Sequence, residues 1–163
     1  AGFGSEVQRR ATVLPSGITL ANRNESASTG PIQQFLVEPD DAVIRSGLVA
    51  EFAHDINGHL LDPKIAWITT NTEQHGDSGY LGAWFRVIAP HPFHTKALKA
   101  ELQARDIGTL TEKKRGVDLV PEKLIAQLKL KGSTSGTIVM TRVDDSGAAF
   151  LVEPLPHQRH SRA

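Results

Sequence analysis

The chain has 163 residues, of which 39% are apolar and 22% charged, with 18 basic and 18 acidic side chains and no net charge. That composition is the one of a globular protein. No apolar run approaches the roughly 18 residues of a membrane span, and the lack of cysteine removes disulfide frameworks, thiolate zinc sites and thiol nucleophiles. Overall balance speaks neither for nor against a polyanionic partner, but the charge is uneven: residues 1–90 carry about −4 and residues 91–142 about +5.

In chain order, AGFGSEVQRR reads as the middle of a longer protein rather than a leader, since no apolar core follows a basic start. Arg10 to Ala21 holds two short apolar runs around Pro15-Ser16-Gly17, a hairpin signal. A lone hairpin is marginal in water and must find a surface. Asn22 to Pro31 is polar and reads as a linker. Phe35-Leu36-Val37 is a short strand. One helix is then expected over AVIRSGLVAEFAHDI, capped by Asp40 or Asp41, with Val43, Ile44, Leu48 and Phe52 on one face and Gly47 in its middle at a cost of about 1 kcal/mol. Asn57-Gly58 and Asp62-Pro63 are turns, IAWIT from Ile65 is a buried strand, and Asn71 to Gly79 is a loop.

From Trp84 the alternation becomes regular. WFRVIA is a strand, HPFHTKALKAELQARD a helix, Ile107 to Glu112 a strand, Pro121 to Lys129 a helix, and Thr137 to Val143 a strand. Asp144-Asp145-Ser146-Gly147 is a hairpin turn, and Ala148 to Val152 the last strand. The expected class is α/β (α+β): an N-terminal hairpin and small α/β segment, then a β-α-β-α-β-β mixed-sheet sandwich with its helices on one face. Residues 1–30 read as a hairpin and linker, 31–153 as one module with parts at 31–82 and 83–153, and 154–163 as a disordered tail.

Tests for catalytic chemistry come back thin. His91 and His94 are three apart around Pro92 without an acidic neighbour in sequence, and no HExxH occurs. Glu38, Asp40 and Asp41 precede an apolar helical period, which favours capping over metal binding. No GxSxG or Walker loop is present, and Gly2-Phe3-Gly4 follows no strand. The acidic-GxGxG loop that holds S-adenosylmethionine is absent. Neither a catalytic residue nor a cofactor or metal ligand is assigned.

The stretch with most character is Gly108 to Gly132, GTLTEKKRGVDLVPEKLIAQLKLKG. It reads as a strand, a basic turn at Lys113-Lys114-Arg115, a helix opened by Pro121 and a stop at Lys129, Lys131 and Gly132. With Lys96, Lys99 and Arg142 these cations form a candidate nucleic-acid surface; a solvated loop is the plainer alternative. Trp67, Trp84 and Phe85 sit in strands, so a shape-and-phosphate mode on structured RNA fits better than base stacking.

LVEPDDAVIRSGLV, LDPKIAWIT, the Pro92-Phe93 helix start with KALKAELQARDIG, EKKRGVDLVPEKL, LKLKG and TIVMTRV together resemble the THUMP-like domain. That domain follows the catalytic domain in a family of bacterial and archaeal S-adenosylmethionine-dependent methyltransferase-like proteins. The resemblance runs from about Phe35 to Val152, and RRATVLPSGITL is similar to the segment that joins the two domains there. It implies a parent with S-adenosylmethionine in an N-terminal domain that is not part of this sequence; a cytoplasmic location is a separate expectation, since the lack of cysteine fits a reducing compartment. It also implies an accessory role here, because true THUMP domains bind RNA, usually transfer RNA. Of the matched positions, Lys113, Lys114, Arg115 and Gly116 carry over as a phosphate surface. Val120 departs from the pattern, where an acidic helix cap is expected. Two other roles stay open: a structural module that packs on the catalytic domain or dimerises, and a free-standing enzyme using His91, His94 and Glu38.

Overall fold

In this computed structural model residues 8–14, 16–92, 94–118 and 121–156 are described. The Gly2-Phe3-Gly4 motif, the Pro15 turn position, the Phe93 helix start, the Val120 cap position and the tail 157–163 lie outside the described residues, as does the His91 side chain.

Strands β1 (Arg10–Val13) and β2 (Ile18–Ala21) pair as the expected hairpin, in register Arg10 to Ala21. Gly17 takes φ +73° and donates its N–H to the Val13 carbonyl at 2.8 Å. The hairpin forms its own sheet. It is held by burying Ala11, Val13 and Leu20 in the first of three apolar clusters. The polar stretch after it is anchored too. Arg23 reaches the Asp55 carboxylate at 2.6 Å and the Glu51 carbonyl at 3.1 Å, and Ser28 and Gly30 exchange backbone hydrogen bonds with Leu60.

After β3 (Phe35–Pro39), Asp40 caps a helix by accepting the Ala42 N–H at 2.9 Å. The single helix expected there is two, α1 (Asp41–Arg45) and α2 (Val49–Asp55). Gly47 is the reason. It takes φ +70°, its N–H donates to Ile44 and the Leu48 N–H donates to Val43, which is the Schellman pattern of a helix end. Glycine here terminates a helix at no steric penalty.

The remaining elements are β4 (His59–Asp62), β5 (Ile65–Thr70), a 3-10 turn at Gly76–Tyr80, β6 (Gly82–Pro92), α3 (Thr95–Ala104), β7 (Ile107–Lys114), α4 (Pro121–Leu128), β8 (Thr134–Val143) and β9 (Ser146–Pro154). The β-α-β-α-β-β order from β6 onward is as expected. The last two strands join through Asp144 and Asp145, both at positive φ, the two-residue turn that suits strand twist.

Seven strands make one mixed sheet, ordered β4-β5-β3-β6-β9-β8-β7, in which only β7 and β8 run parallel. Residues paired across neighbouring strands share a face, and alternate residues switch faces. Phe35, Val37, Ile68 and Trp84 therefore face α1, α2 and the hairpin, and Ile138, Met140, Ala149 and Leu151 face α3 and α4. The register places both sets on one side of the sheet. The other side carries Leu36, Trp67, Phe85, Val139, Phe150 and Val152, all at most 4% exposed although none of the described helices packs in their cluster. They are buried because the sheet rolls. β4 approaches β8, and Trp67 meets Phe85 edge to face at 5.9 Å inside the curl.

Candidate functional site

The expected basic turn is for the most part strand. β7 continues through Lys114, so its cations alternate between faces. Lys113 lies opposite Val139 and Lys114 opposite Met140, which directs Lys113 into the roll and Lys114 towards the helices. The Arg115 N–H prolongs the ladder to the Met140 carbonyl at 3.0 Å.

Inside the roll Lys113 and Arg115 share one carboxylate. Glu38 of β3 takes Lys113 Nζ at 3.5 Å and Arg115 Nε at 3.4 Å, and the three side chains are 22–35% exposed. Lys113 Nζ also stands 5.5 Å from the centre of the Phe85 ring. β3 and β7 are four strand spacings apart in the sheet, about 19 Å if it were flat. The Glu38 clasp therefore exists only because the sheet curls, and it secures the curl. Gly116 completes the closure at φ +73°. A side chain there would meet Ile65 of β5 at 2.3 Å.

The topology sorts the other candidate cations. Only two residues separate α3 from β7, and Gly132, four residues after the end of α4, comes against Asp106 and Ile107. Both helices thus run back along the sheet, antiparallel to β7 and β8. Their N-terminal halves lie beside the carboxyl ends of those two strands. Lys96 and Lys99 of α3, Lys113 and Lys114 of β7, Arg115 just after it, and Arg142 of β8 come to this end. Lys123 of α4, which the sequence reading passed over, joins them. Lys129 and Lys131 lie at the opposite end, about 12 Å away along α4. Lys96, Lys129 and Lys131 are exposed, and none of Lys96, Lys99, Lys129, Lys131 and Arg142 forms an ion pair among the described residues. The loop after α4 also differs from expectation. Lys129 itself takes the left-handed conformation at φ +47°, while Gly132 is small because it crosses the Asp106–Gly108 backbone.

One acid is out of place. Glu112 of β7 faces α4 with both carboxylate oxygens shut off from water and without a hydrogen-bond partner. Burial, and next the charge of Glu122, raise its pKa, against a smaller opposing pull from Lys114. Glu38 serves the clasp, and His94 accepts the Ala97 N–H at the start of α3. Among the described residues no three His, Asp or Glu side chains come together as metal ligands, and no helix is long and apolar enough to cross a membrane. On the uncovered face an open groove of about 320 Å³ runs between Ile88, Thr111, Ser135, Thr137 and Val152; of its charged lining residues, Arg105 pairs with Glu101 and Glu153 forms no ion pair among the described residues.

A model of the THUMP domain-like family matches residues 82–154, the stretch from β6 to β9. Two S-adenosylmethionine-dependent methyltransferases of Mycobacterium tuberculosis, from strains CDC 1551 / Oshkosh and ATCC 25618 / H37Rv and both named as uncharacterised, are 31% identical over 141 residues. That alignment takes in 86% of this chain but 38% of each relative. A crystal structure of a protein named as a methyltransferase in Porphyromonas gingivalis W83 superposes with TM-score 0.71 at 20% identity, over 90% of this chain and 37% of that one, which establishes a shared fold. Residues 82–154 are therefore a THUMP-like domain, in a chain homologous to part of the S-adenosylmethionine-dependent methyltransferases.

Proposed function

We propose that this chain is the C-terminal accessory module of an S-adenosylmethionine-dependent methyltransferase, without catalysis of its own. In this reading it holds structured RNA, of the transfer RNA class, for a catalytic domain elsewhere in the parent protein. The observation that carries the reading is the gathering of Lys96, Lys99, Lys114 and Arg142 at the carboxyl ends of β7 and β8, on the side covered by α3 and α4. Lys113 and Arg115 lie at the same end but are held by Glu38. They shape the rim and contribute one net positive charge to the phosphate surface. Lysines at one end of a rigid layer suit backbone phosphates of a folded RNA, whose shape and not its base edges is then what the module senses. S-adenosylmethionine belongs to the catalytic domain, and a cytoplasmic setting follows from an RNA substrate.

Binding of unmodified transfer RNA, followed by fluorescence anisotropy against a neutral polymer competitor, tests this. The expected result is preference for the RNA at low salt, with affinity falling as salt rises at a log–log slope of roughly −3 for three or four phosphate contacts. Equal response to RNA and competitor refutes it.

A second reading has its own observation. The clasp withdraws two of the matched cations into the fold, as a module that packs on the catalytic domain would allow. If the catalytic domain is insoluble alone and charge reversal at Lys96 and Lys99 leaves RNA binding unchanged, the packing role is the correct one.

A further inference from the structure

Arg142 differs from every other cation at this end. It is half-buried, its Nε is closed to water and has no acceptor among the described residues, and its side chain makes no hydrogen bond or ion pair with any of them. A guanidinium stays charged at all working pH values, so the energy of a desolvated, unsatisfied donor cannot be relieved by losing a proton. Nor do side chains crowd it within the ladder. Its partner on β9 is Gly147, and on the β7 side its Nε lies 3.9 Å from where a Cβ of Gly116 would stand. Arg115, the residue before Gly116, is committed to Glu38 through its Nε. Asp144 and Asp145, in the turn just beyond, are exposed and do not pair with Arg142.

We infer that Arg142 is the anchor for a single phosphate group, which it grips through its two terminal N–H groups in the planar fork that suits an oxyanion. Lys96 and Lys99 supply the surrounding field, whereas Arg142 supplies the directed contact. The inference rests on the reading that this end of the module faces a polyanion. A backbone phosphate of RNA and a free phosphate ion offer the same chemistry, and the two arms of the test separate them.

The whole chain, labelled at arginine with ¹⁵N, is titrated with inorganic phosphate at constant ionic strength while the Nε–H resonances are followed. The Arg142 resonance moves saturably, and those of Arg10 and Arg45 stay put. Transfer RNA affinity is then measured for Arg142→Lys, with Arg45→Gln as the control. Arg142→Lys keeps the charge and the salt slope but binds RNA about tenfold more weakly, because an ammonium cannot reproduce the fork; the control changes less than twofold. If all arginine resonances drift together and Arg142→Lys binds RNA like the wild type, the anchor is refuted while RNA binding stands. If the wild type binds no RNA but Arg142 responds saturably to phosphate, the RNA reading falls and the anchor serves free phosphate. Failure in both arms removes both.

Discussion

Glu38 and Lys113 are 75 residues apart in sequence and four strands apart in the sheet, yet their charged ends meet at 3.5 Å. The pair, with Arg115 on the second carboxylate oxygen at 3.4 Å, ties the N-terminal half of the sheet to its C-terminal edge. Removing the carboxylate has two consequences of opposite sign. Glu38→Gln lowers stability by about 1 kcal/mol, the sum of two partly exposed ion pairs, measured by urea unfolding. It also frees Lys113 and Arg115, so affinity for transfer RNA rises. A loss of both stability and RNA affinity would show that the clasp shapes the binding surface instead of competing with it.

The buried acid makes stability depend on pH in a defined direction. Burial and the neighbouring Glu122 raise the pKa of Glu112 in the folded state. Its neutral form fits the fold, so the full contribution is present below the pKa of the unfolded chain. That contribution is lost as pH rises through the folded pKa, because the unfolded state then binds fewer protons than the native one. Glu112→Gln therefore melts higher than the wild type at pH 7.5, and the difference shrinks towards pH 4. Thermal melts at the two pH values check this; a variant less stable at both would contradict it.

Two backbone crossings leave no room for a methyl group. A Cβ on Gly132 would lie 2.1 Å from the Asp106 carbonyl oxygen, and one on Gly108 would lie 1.8 Å from that of Gly132. Gly132→Ala should cost at least about 3 kcal/mol, the scale of severe steric lesions in a fold. Denaturant unfolding measures it, and a cost under about 1 kcal/mol would mean that the loop after α4 shifts freely.

Lys129 gives the converse case. It ends α4 in the left-handed conformation at φ +47°, which a side chain disfavours by about 1–2 kcal/mol. Lys129→Gly should stabilise the chain by about 0.5–1 kcal/mol, since glycine also gains freedom when unfolded. Because Lys129 stands at the end of the layer remote from Arg142, RNA affinity should change less than twofold.

Local signals carried much of this fold. The alternation from Trp84 onward predicted the β-α-β-α-β-β order, and Asp144-Asp145 marked its hairpin. Gly47 was visible as well, but the apolar spacing of Val43, Ile44, Leu48 and Phe52 continues across it in helical period and hides the break. The alternation of Gly108 to Glu112 could have been extended through Lys113 and Lys114, which would have separated those two cations onto opposite faces. What no local pattern reports is the partner. Glu38 sits beside a helix cap in sequence, and only the roll of the sheet makes it the counter-charge of Lys113 and Arg115. The division of the cations into two ends is also topological, since it follows from α3 and α4 both running back along the parallel pair β7 and β8.

The account turns on which end of the helix layer meets phosphate. Paired charge reversals decide it: Lys96→Glu with Lys99→Glu at one end, Lys129→Glu with Lys131→Glu at the other, each measured for transfer RNA affinity at one fixed salt concentration. The first pair should weaken binding at least about tenfold, and the second less than about threefold, since exposed charges beyond a Debye length of about 8–10 Å are largely screened. Equal losses at the two ends, or the larger loss at Lys129 and Lys131, would contradict it.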